Sequence, residues 1–295
     1  MRTAIPLLSL LWAATAAAQP AAPAKDAGAG LPPLRICTGK AGNNYHRVGE
    51  AIASKLKGQV AVEVVETAGS WENLEAIHAD RRRCDAVIAQ DDAYALYEFE
   101  HPNTKFTMER ITTLYPEYLH LLCNTEVDFD RFEPAKASRV KVLVNSYGSG
   151  TYITWSLLQR LHKAYEAVTS AEVSVDEGLL KITDGVGAQC MLFVSGKGGR
   201  TLRTADERFG GKLKLVGLTD ERLQRKVGRD KRVVYRPATL EKGTYPHLQD
   251  DAVATQQVDA VFFASPEWKA RHPDAAKKLA TALVALLPAL REALD

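Results

Sequence analysis

The sequence predicts an α/β protein built as two similar lobes. Three observations support this. Strands alternate with helices, Gly-containing turns join strands to the helices that follow, and the order of elements returns along the chain. Residues 34–38 form a short apolar run, followed by the turn Gly39-Lys40-Ala41-Gly42-Asn43-Asn44. From Tyr45 onward, Val48, Ile52 and Leu56 recur at helical spacing and mark one buried face. Residues 59–67 alternate through Val60, Val62 and Val64, the period of a strand. Ala68-Gly69-Ser70 turns the chain into a short helix over 72–79 with Leu74 and Ile77 inside, and Ser70 is placed to cap it. Residues 84–89 read as a buried strand running into a solvated loop, Gln90-Asp91-Asp92.

Residues 111–123 separate the halves, and then the order repeats. A strand over 141–145 leads through the turn 146–150 into a helix over 151–161, with Ile153, Leu157 and Leu161 inside. Residues 172–175 read as a strand, 178–183 as a short helix and 190–195 as another buried strand. Gly42 and Gly148 stand 106 positions apart (148 − 42), as do Cys84 and Cys190 (190 − 84). A fixed offset that carries the same order of elements is the mark of a repeated unit. Gly196-Lys197-Gly198-Gly199-Arg200 has the composition of a phosphate cradle, but no clear helical pattern follows, so it reads as a loop. Residues 213–218, 232–235 and 260–264 read as strands. A long helix starts near Pro273 and carries Leu279, Leu283, Leu286 and Leu290. Its apolar stretch is too short to span a bilayer. The expected map is lobe 1 over 34–120 and 240–295 and lobe 2 over 124–236, with hinges near 119–123 and 234–239.

At the N-terminus, Met1-Arg2, the apolar run 5–14 and Ala16-Ala17-Ala18 read as a secretory signal peptide cleaved near Ala18. Residues 19–33, rich in Ala, Pro and Gly, read as a flexible tether. The expectation is a periplasmic protein, in a compartment where disulfides persist. Cys37, Cys84, Cys123 and Cys190 lie in or beside strand-like runs and have neither zinc-site spacing nor a C-x-x-C motif. Buried thiols are the favoured reading. One or two bridges stay open, and the spacing selects no pairing. Lys and Arg total 38 against 36 Asp and Glu, for a net charge of +2. That balance gives no reason to expect nucleic acid or an anionic membrane as partner.

In open α/β sheets, ligands bind beyond the carboxyl ends of the strands, at the turns into helices. The candidate turns are 38–45, 69–73, 90–91 and 148–151. Thr38, Asn43, Asn44 and Tyr45 supply hydrogen-bonding groups and Lys40 a cation, and Gly39 lets the backbone come close. Gly69, Ser70 and Asn73 form the second turn, with Trp71 a candidate wall, and Gln90 and Asp91 form the third. Gly148, Ser149, Gly150 and Thr151 enter a helix, where free N–H groups and hydroxyls suit a carboxylate or phosphate. Each turn alone is accounted for by ordinary capping. Four in a repeated arrangement favour a binding cleft. There is no P-loop, H-E-x-x-H or G-x-S-x-G motif, and the seven His are scattered. No cofactor, metal site or catalytic constellation is expected.

The stretches TGKAGNNYHRVGEAIASKL, ETAGSWENLEAI, CDAVIAQDDAYALY, LYPEYLHLL, VNSYGSGTYITWSLLQRL and GTYPHLQDDAVATQQVDAVFFAS resemble, in order, the TAXI-type solute-binding proteins of TRAP transporters. The likeness covers nearly all of 34–290. It implies a two-lobed, type II periplasmic-binding-protein fold, each lobe a mixed sheet flanked by helices, with a hinge between them. It also implies closure on a small organic acid, glutamate-like or dicarboxylate, and delivery to a membrane permease; a monomer is expected. The resemblance adds Tyr115 to the cleft positions. Trp71 is bulkier than the family's usual aliphatic residue, and Lys40, Asn43 and Asn44 interrupt a more Gly-rich first turn. Two other readings stand beside this one. A sensor would present the solute to a membrane receptor, and an enzyme would draw on Cys37, Cys84 or Asp91-Asp92. Strand-embedded cysteines speak against the enzyme.

Overall fold

The computed structural model describes residues 32–79, 81–105, 108–135, 137 and 139–294. The signal peptide and most of the tether expected at the N-terminus lie outside the described residues.

The first unit runs β1 (Leu34–Cys37), α1 (Asn44–Leu56), β2 (Val62–Val65), α2 (Ser70–His78), β3 (Ala86–Gln90) and α3 (Asp91–Glu100). β1 lies between β2 and β3 and is parallel to both. A long strand, β4 (Glu109–Asn124), follows. The second unit runs β5 (Lys141–Val144), α4 (Gly150–Leu161), α5 (Lys163–Glu166), β6 (Thr169–Glu172), α6 (Val175–Asp184), β7 (Cys190–Ser195) and α7 (Arg200–Phe209). β5 lies between β6 and β7, again parallel to both. The chain closes with β8 (Leu213–Val216), β9 (Lys226–Val227), β10 (Arg232–Val233), β11 (Arg236–Leu240), β12 (Val253–Ala264), α8 (Pro266–Arg271) and α9 (Pro273–Leu294). Both halves are therefore βαβαβ units, and the expected repeat is a repeat of topology. The sheet order β2-β1-β3-β12-β4-β7-β5-β6 is symmetric about the central antiparallel pair β12 and β4.

Those two strands belong to both halves. β12 pairs with β3 through Ala260–Ala264 and with β11 through Val253–Gln257. β4 pairs with β12 from Glu109 to Tyr118 and with β7 from Tyr118 to Cys123. Residues 119–123 thus lie inside a paired strand, and 234–239 straddle the start of β11. Leu240, Tyr245 and Leu248 pack with Leu143, Met191 and Leu215 of the second unit. β11 and the first half of β12 thus pack with strands of the second half of the sheet.

Each half-sheet is covered by helices. α1 and α9 bury Val48, Ile52, Leu279 and Leu283 against Ile36, Ile88 and Phe262, and α2 and α3 bury Leu74, Ile77 and Leu96 against Val87 and Phe263. In the second unit, Trp155, Leu157 and Leu158 of α4 pack on Val142, Val144 and Leu192. Among the described residues, no helix is long and apolar enough to cross a membrane.

Three sequence expectations fail here. The cysteines are bridged, not free: Cys37 to Cys84 and Cys123 to Cys190. Cys123 and Cys190 face each other across the β4–β7 ladder, with Cα atoms 4.0 Å apart. Asp91 and Asp92 are not a solvated loop. They open α3 and are buried. The Gly196–Arg200 segment is followed directly by α7, a ten-residue helix.

Candidate functional site

The N-cap residues of α1, α2, α3, α4 and α7 are Asn43, Gly69, Gln90, Ser149 and Gly199, and all five line one cavity of about 950 Å³. Only Ser149 makes a side-chain cap, its Oγ accepting from Tyr152 N at 3.2 Å. The other four helices enter the cavity with no side chain capping their first-turn N–H groups. Their dipoles add positive potential at the same place. Four cations, Lys40, Arg47, Arg200 and Arg203, line the cavity and form no ion pair among the described residues. A fifth, Lys197, is held by Glu241 at 2.9 Å and lies 4.7 Å over the Tyr118 ring. The carboxyls on the wall are Glu117 and Glu207. Such an arrangement is chemically suited to an anion.

Glu117 sits on β4 near the middle of the sheet and is 7% exposed. Its Oε2 accepts from the Tyr45 hydroxyl at 3.1 Å. Ser70 Oγ accepts from Gln90 N at 3.0 Å and donates to the Tyr45 oxygen at 3.5 Å, so α1, α2, β3 and β4 meet in one chain of hydrogen bonds. Burial, against the opposing hydrogen bond from Tyr45, raises the Glu117 pKa to about 8. Burial first, and the adjacent Glu117 second, hold the Tyr45 phenol well above its ordinary range.

Of the residues expected at the site, Gly39, Lys40, Asn43, Asn44, Tyr45, Gly69, Ser70, Gln90, Ser149, Gly150 and Thr151 line the cavity. The others stand behind the wall. Thr38 is fully buried and donates to Val65 O at 3.1 Å. Asn73 Nδ2 donates to Thr38 O at 2.6 Å and Ile88 O at 2.7 Å, and its Oδ1 accepts from Thr67 at 2.6 Å. It ties the ends of β1 and β3 together. Trp71 stacks edge-on with Tyr97 and donates to Glu75 at 3.0 Å. Asp91 pairs with Arg110 at 2.6 Å and Arg232 at 3.1 Å. Tyr115 is fully buried in the apolar cluster of α1 and α9. Gly148, at φ 75°, turns the chain close under Trp71. Ser70 does not cap α2, because Gly69 holds the N-cap position and the Ser70 hydroxyl is taken by Gln90 and Tyr45.

Sequence reading missed Glu117, Arg47 and the basic end formed by Lys197, Arg200 and Arg203. The glycine-and-cation run 196–200 was itself the signal. The helix after it is hard to read from sequence because α7 buries only Leu202, Ala205 and Asp206, too few apolar residues to show a helical stripe.

The halves also meet through direct contacts. Asp92 of α3 accepts from Thr154 of α4 at 2.5 Å and from Tyr235 at 2.9 Å. The Gln90 side chain lies against Gly150, and Gly196 lies against the backbone of Leu294. Among the described residues, no group of His, Cys, Asp and Glu could hold a metal ion.

Solved structures share this architecture. The periplasmic aliphatic sulphonate binding protein SsuA from Escherichia coli is 14% identical, with a TM-score of 0.52 over 88% of this chain and 76% of that one. The GluR0 ligand-binding core, solved in complex with L-glutamate, is 11% identical, with a TM-score of 0.50 over 88% and 93%. The periplasmic domain of BvgS from B. pertussis is 10% identical, with a TM-score of 0.45 over 85% of this chain, which spans only 40% of that one. No curated protein matches. At such identities the likeness is one of fold, the two-lobed fold of periplasmic solute-binding proteins. The NMT1-like family profile matches residues 36–285, and the chain belongs to that family.

Proposed function

We propose that this protein captures a small carboxylate solute in the cavity between its two units and delivers it to a TRAP-type membrane permease, without chemical turnover. The convergence of five helix N-termini on one cavity supports this reading most directly. Four cations that line the same cavity and form no ion pair among the described residues add to it. The turns at Gly39–Tyr45, Gly69–Ser70 and Gln90 take the solute from one side, and Ser149, Gly150 and Thr151 take it from the other. The units open and close by bending where β4 and β12 change partners, near Tyr118 and Gln257. The signal-peptide pattern ending near Ala18 fits export to the periplasm.

The test is thermal unfolding of the mature chain, unfolded and refolded to strip carried-over ligand, against amino acids, dicarboxylates, keto acids and sugars. A ligand at a hundredfold excess over its Kd stabilises the folded state by about 2.7 kcal/mol. The expected result is a shift with one class of carboxylate that disappears in the Ser149→Ala, Thr151→Ala double variant. A refolded protein that responds to sugars and to no carboxylate overturns the reading.

A further inference from the structure

Resting on the carboxylate reading of the cleft, we propose that Glu117 is its proton-linked specificity residue: a ligand ammonium docks against Glu117 beside Gln90, and Glu117 gives up its proton as the ligand is captured.

The two sides of the cavity differ in what they offer. The second unit presents first-turn N–H groups at Ser149–Thr151 and Gly199–Thr201, with Lys197, Arg200 and Arg203. The first unit presents the N-termini of α1, α2 and α3 with Lys40 and Arg47, and beside them two acceptors. Glu117 lines the cavity and makes no ion pair among the described residues, and its single side-chain hydrogen bond is from Tyr45. Gln90 lines it too, is 2% exposed, and has an Oε1 with no hydrogen-bond partner. A buried amide oxygen without a partner is costly unless a ligand supplies the donor. A buried carboxyl without a counter-charge stays neutral. A zwitterion meets both needs, its carboxylate at the α4 N-terminus and its ammonium, with three donors and no acceptor, on Glu117 and Gln90.

Burial opposes ionisation of Glu117 in the empty cleft and Asp92 of α3 adds to it, while the Tyr45 hydroxyl of α1 acts the other way by donating to the carboxylate. Tyr115 lies on its own strand, and Asp259 of β12 is already engaged by Arg236 and Arg110. Arg47, on α1, is felt at Tyr115, and Lys197, across the cavity, is paired with Glu241. With a carboxyl pKa of about 8, the empty cleft at pH 7 holds Glu117 protonated. An incoming ammonium pairs with the carboxylate, and the displaced proton goes to solvent. One proton leaves for each ligand bound. An acid without an amino group leaves Glu117 neutral, and no proton is released. Affinity for the zwitterion therefore rises roughly tenfold per pH unit up to about pH 8 and then levels.

The experiment is titration calorimetry of refolded wild-type protein at pH 7 with L-glutamate and with glutarate, each in phosphate and in Tris, buffers of different ionisation heat. The expected result is close to one proton released with glutamate and none with glutarate. In Glu117→Gln, checked for folding by its melting temperature, the preference for glutamate over glutarate falls roughly 100-fold, the size of effect of losing one buried charge partner. Glutamate binding without proton release overturns the inference and leaves the carboxylate reading standing, as does tight binding of glutarate alone. Failure of both probes to bind refolded protein counts against the carboxylate reading itself, and the inference falls with it.

Discussion

The two βαβαβ units share a topology but differ at the turn after their third strand. In the first, β3 ends at Gln90 and α3 starts at once with Asp91 and Asp92, both buried. Their carboxylates face away from the cavity, Asp91 to Arg110 and Arg232, Asp92 to Thr154 and Tyr235. In the second, β7 ends at Ser195 and four residues, Gly196-Lys197-Gly198-Gly199, intervene before α7. That loop lines the cavity and is pinned from behind, Gly198 N donating to the Tyr245 hydroxyl oxygen at 2.9 Å, with the same hydroxyl 3.1 Å from His120 Nε2. The same position in the fold thus serves as an acidic latch between halves in one unit and as a basic wall in the other. Topology sets where a turn points. The residue types in it set what it does there.

The disulfides are the largest lever on this comparison, since each unit carries one end of the scheme: Cys37–Cys84 within the first, and Cys123–Cys190 between β4 and the second. They close loops of 47 and 67 residues. Loop-closure entropy assigns each about 4 kcal/mol. Replacing either pair with serine is expected to lower the melting temperature by roughly 10 °C for a chain of this size. Calorimetry of the two double variants checks this, and a much smaller loss in one unit would show that its fold does not depend on the bridge.

Asp92→Asn comes next. Burial raises the Asp92 pKa to about 6. Between about pH 4 and pH 6 the folded protein holds this proton while the unfolded chain has lost it, so the contribution of Asp92 to stability falls as pH rises through that window. The loss reaches about 3 kcal/mol above pH 6. Asparagine keeps an acceptor for Thr154 and Tyr235 and does not ionise. The variant is expected to match wild type near pH 4 and to exceed it at pH 7.5, read from urea unfolding at both pH values. A difference that does not change with pH would mean that Asp92 ionises in the folded protein as it does in the unfolded chain.

Much of the fold was legible in local patterns. Val48, Ile52 and Leu56 showed α1, the alternation at 60–64 showed β2, and Ile153, Leu157 and Leu161 showed α4. The N-caps Asn43 and Ser149 even keep the 106-residue offset (149 − 43). What was not legible depended on distant partners. Asp91-Asp92 reads as a loop until Arg110 and Arg232, from β4 and β10, are brought to it. The Cys123–Cys190 pairing follows from the register of β4 on β7, which no spacing reveals. Glu117 left a faint trace, a lone acid in the apolar run of β4. Its depth and its Tyr45 partner belong to the tertiary structure.

Glycines mark where the units touch, and they separate stability from closure. At Gly196 a Cβ would stand 2.2 Å from the Leu294 backbone oxygen, whereas at Gly150 the nearest atom, 2.3 Å away, is the end of the Gln90 side chain. Backbone cannot step aside cheaply and a side chain can. Gly196→Ala is therefore expected to cost roughly 2 kcal/mol in denaturant unfolding. Gly150→Ala is expected to cost less than that and to act on ligand affinity by holding Gln90 out of place. Equal costs at the two positions would mean that the C-terminal end of α9 yields as easily as a side chain.

The smallest effect discriminates most sharply between the two ends of the cavity. Ser149→Ala removes the single side-chain cap among the five converging helices, at a cost of about 1 kcal/mol to the ligand-free protein, measured by urea unfolding. The hydroxyl also lines the cavity, so a carboxylate held at α4 loses a neighbouring donor in the same variant. If affinity falls together with stability, the anionic end of the ligand sits on α4. If stability falls and affinity does not, that end sits on α7, where Gly199 contributes no side-chain cap and Arg200 and Arg203 form no ion pair among the described residues.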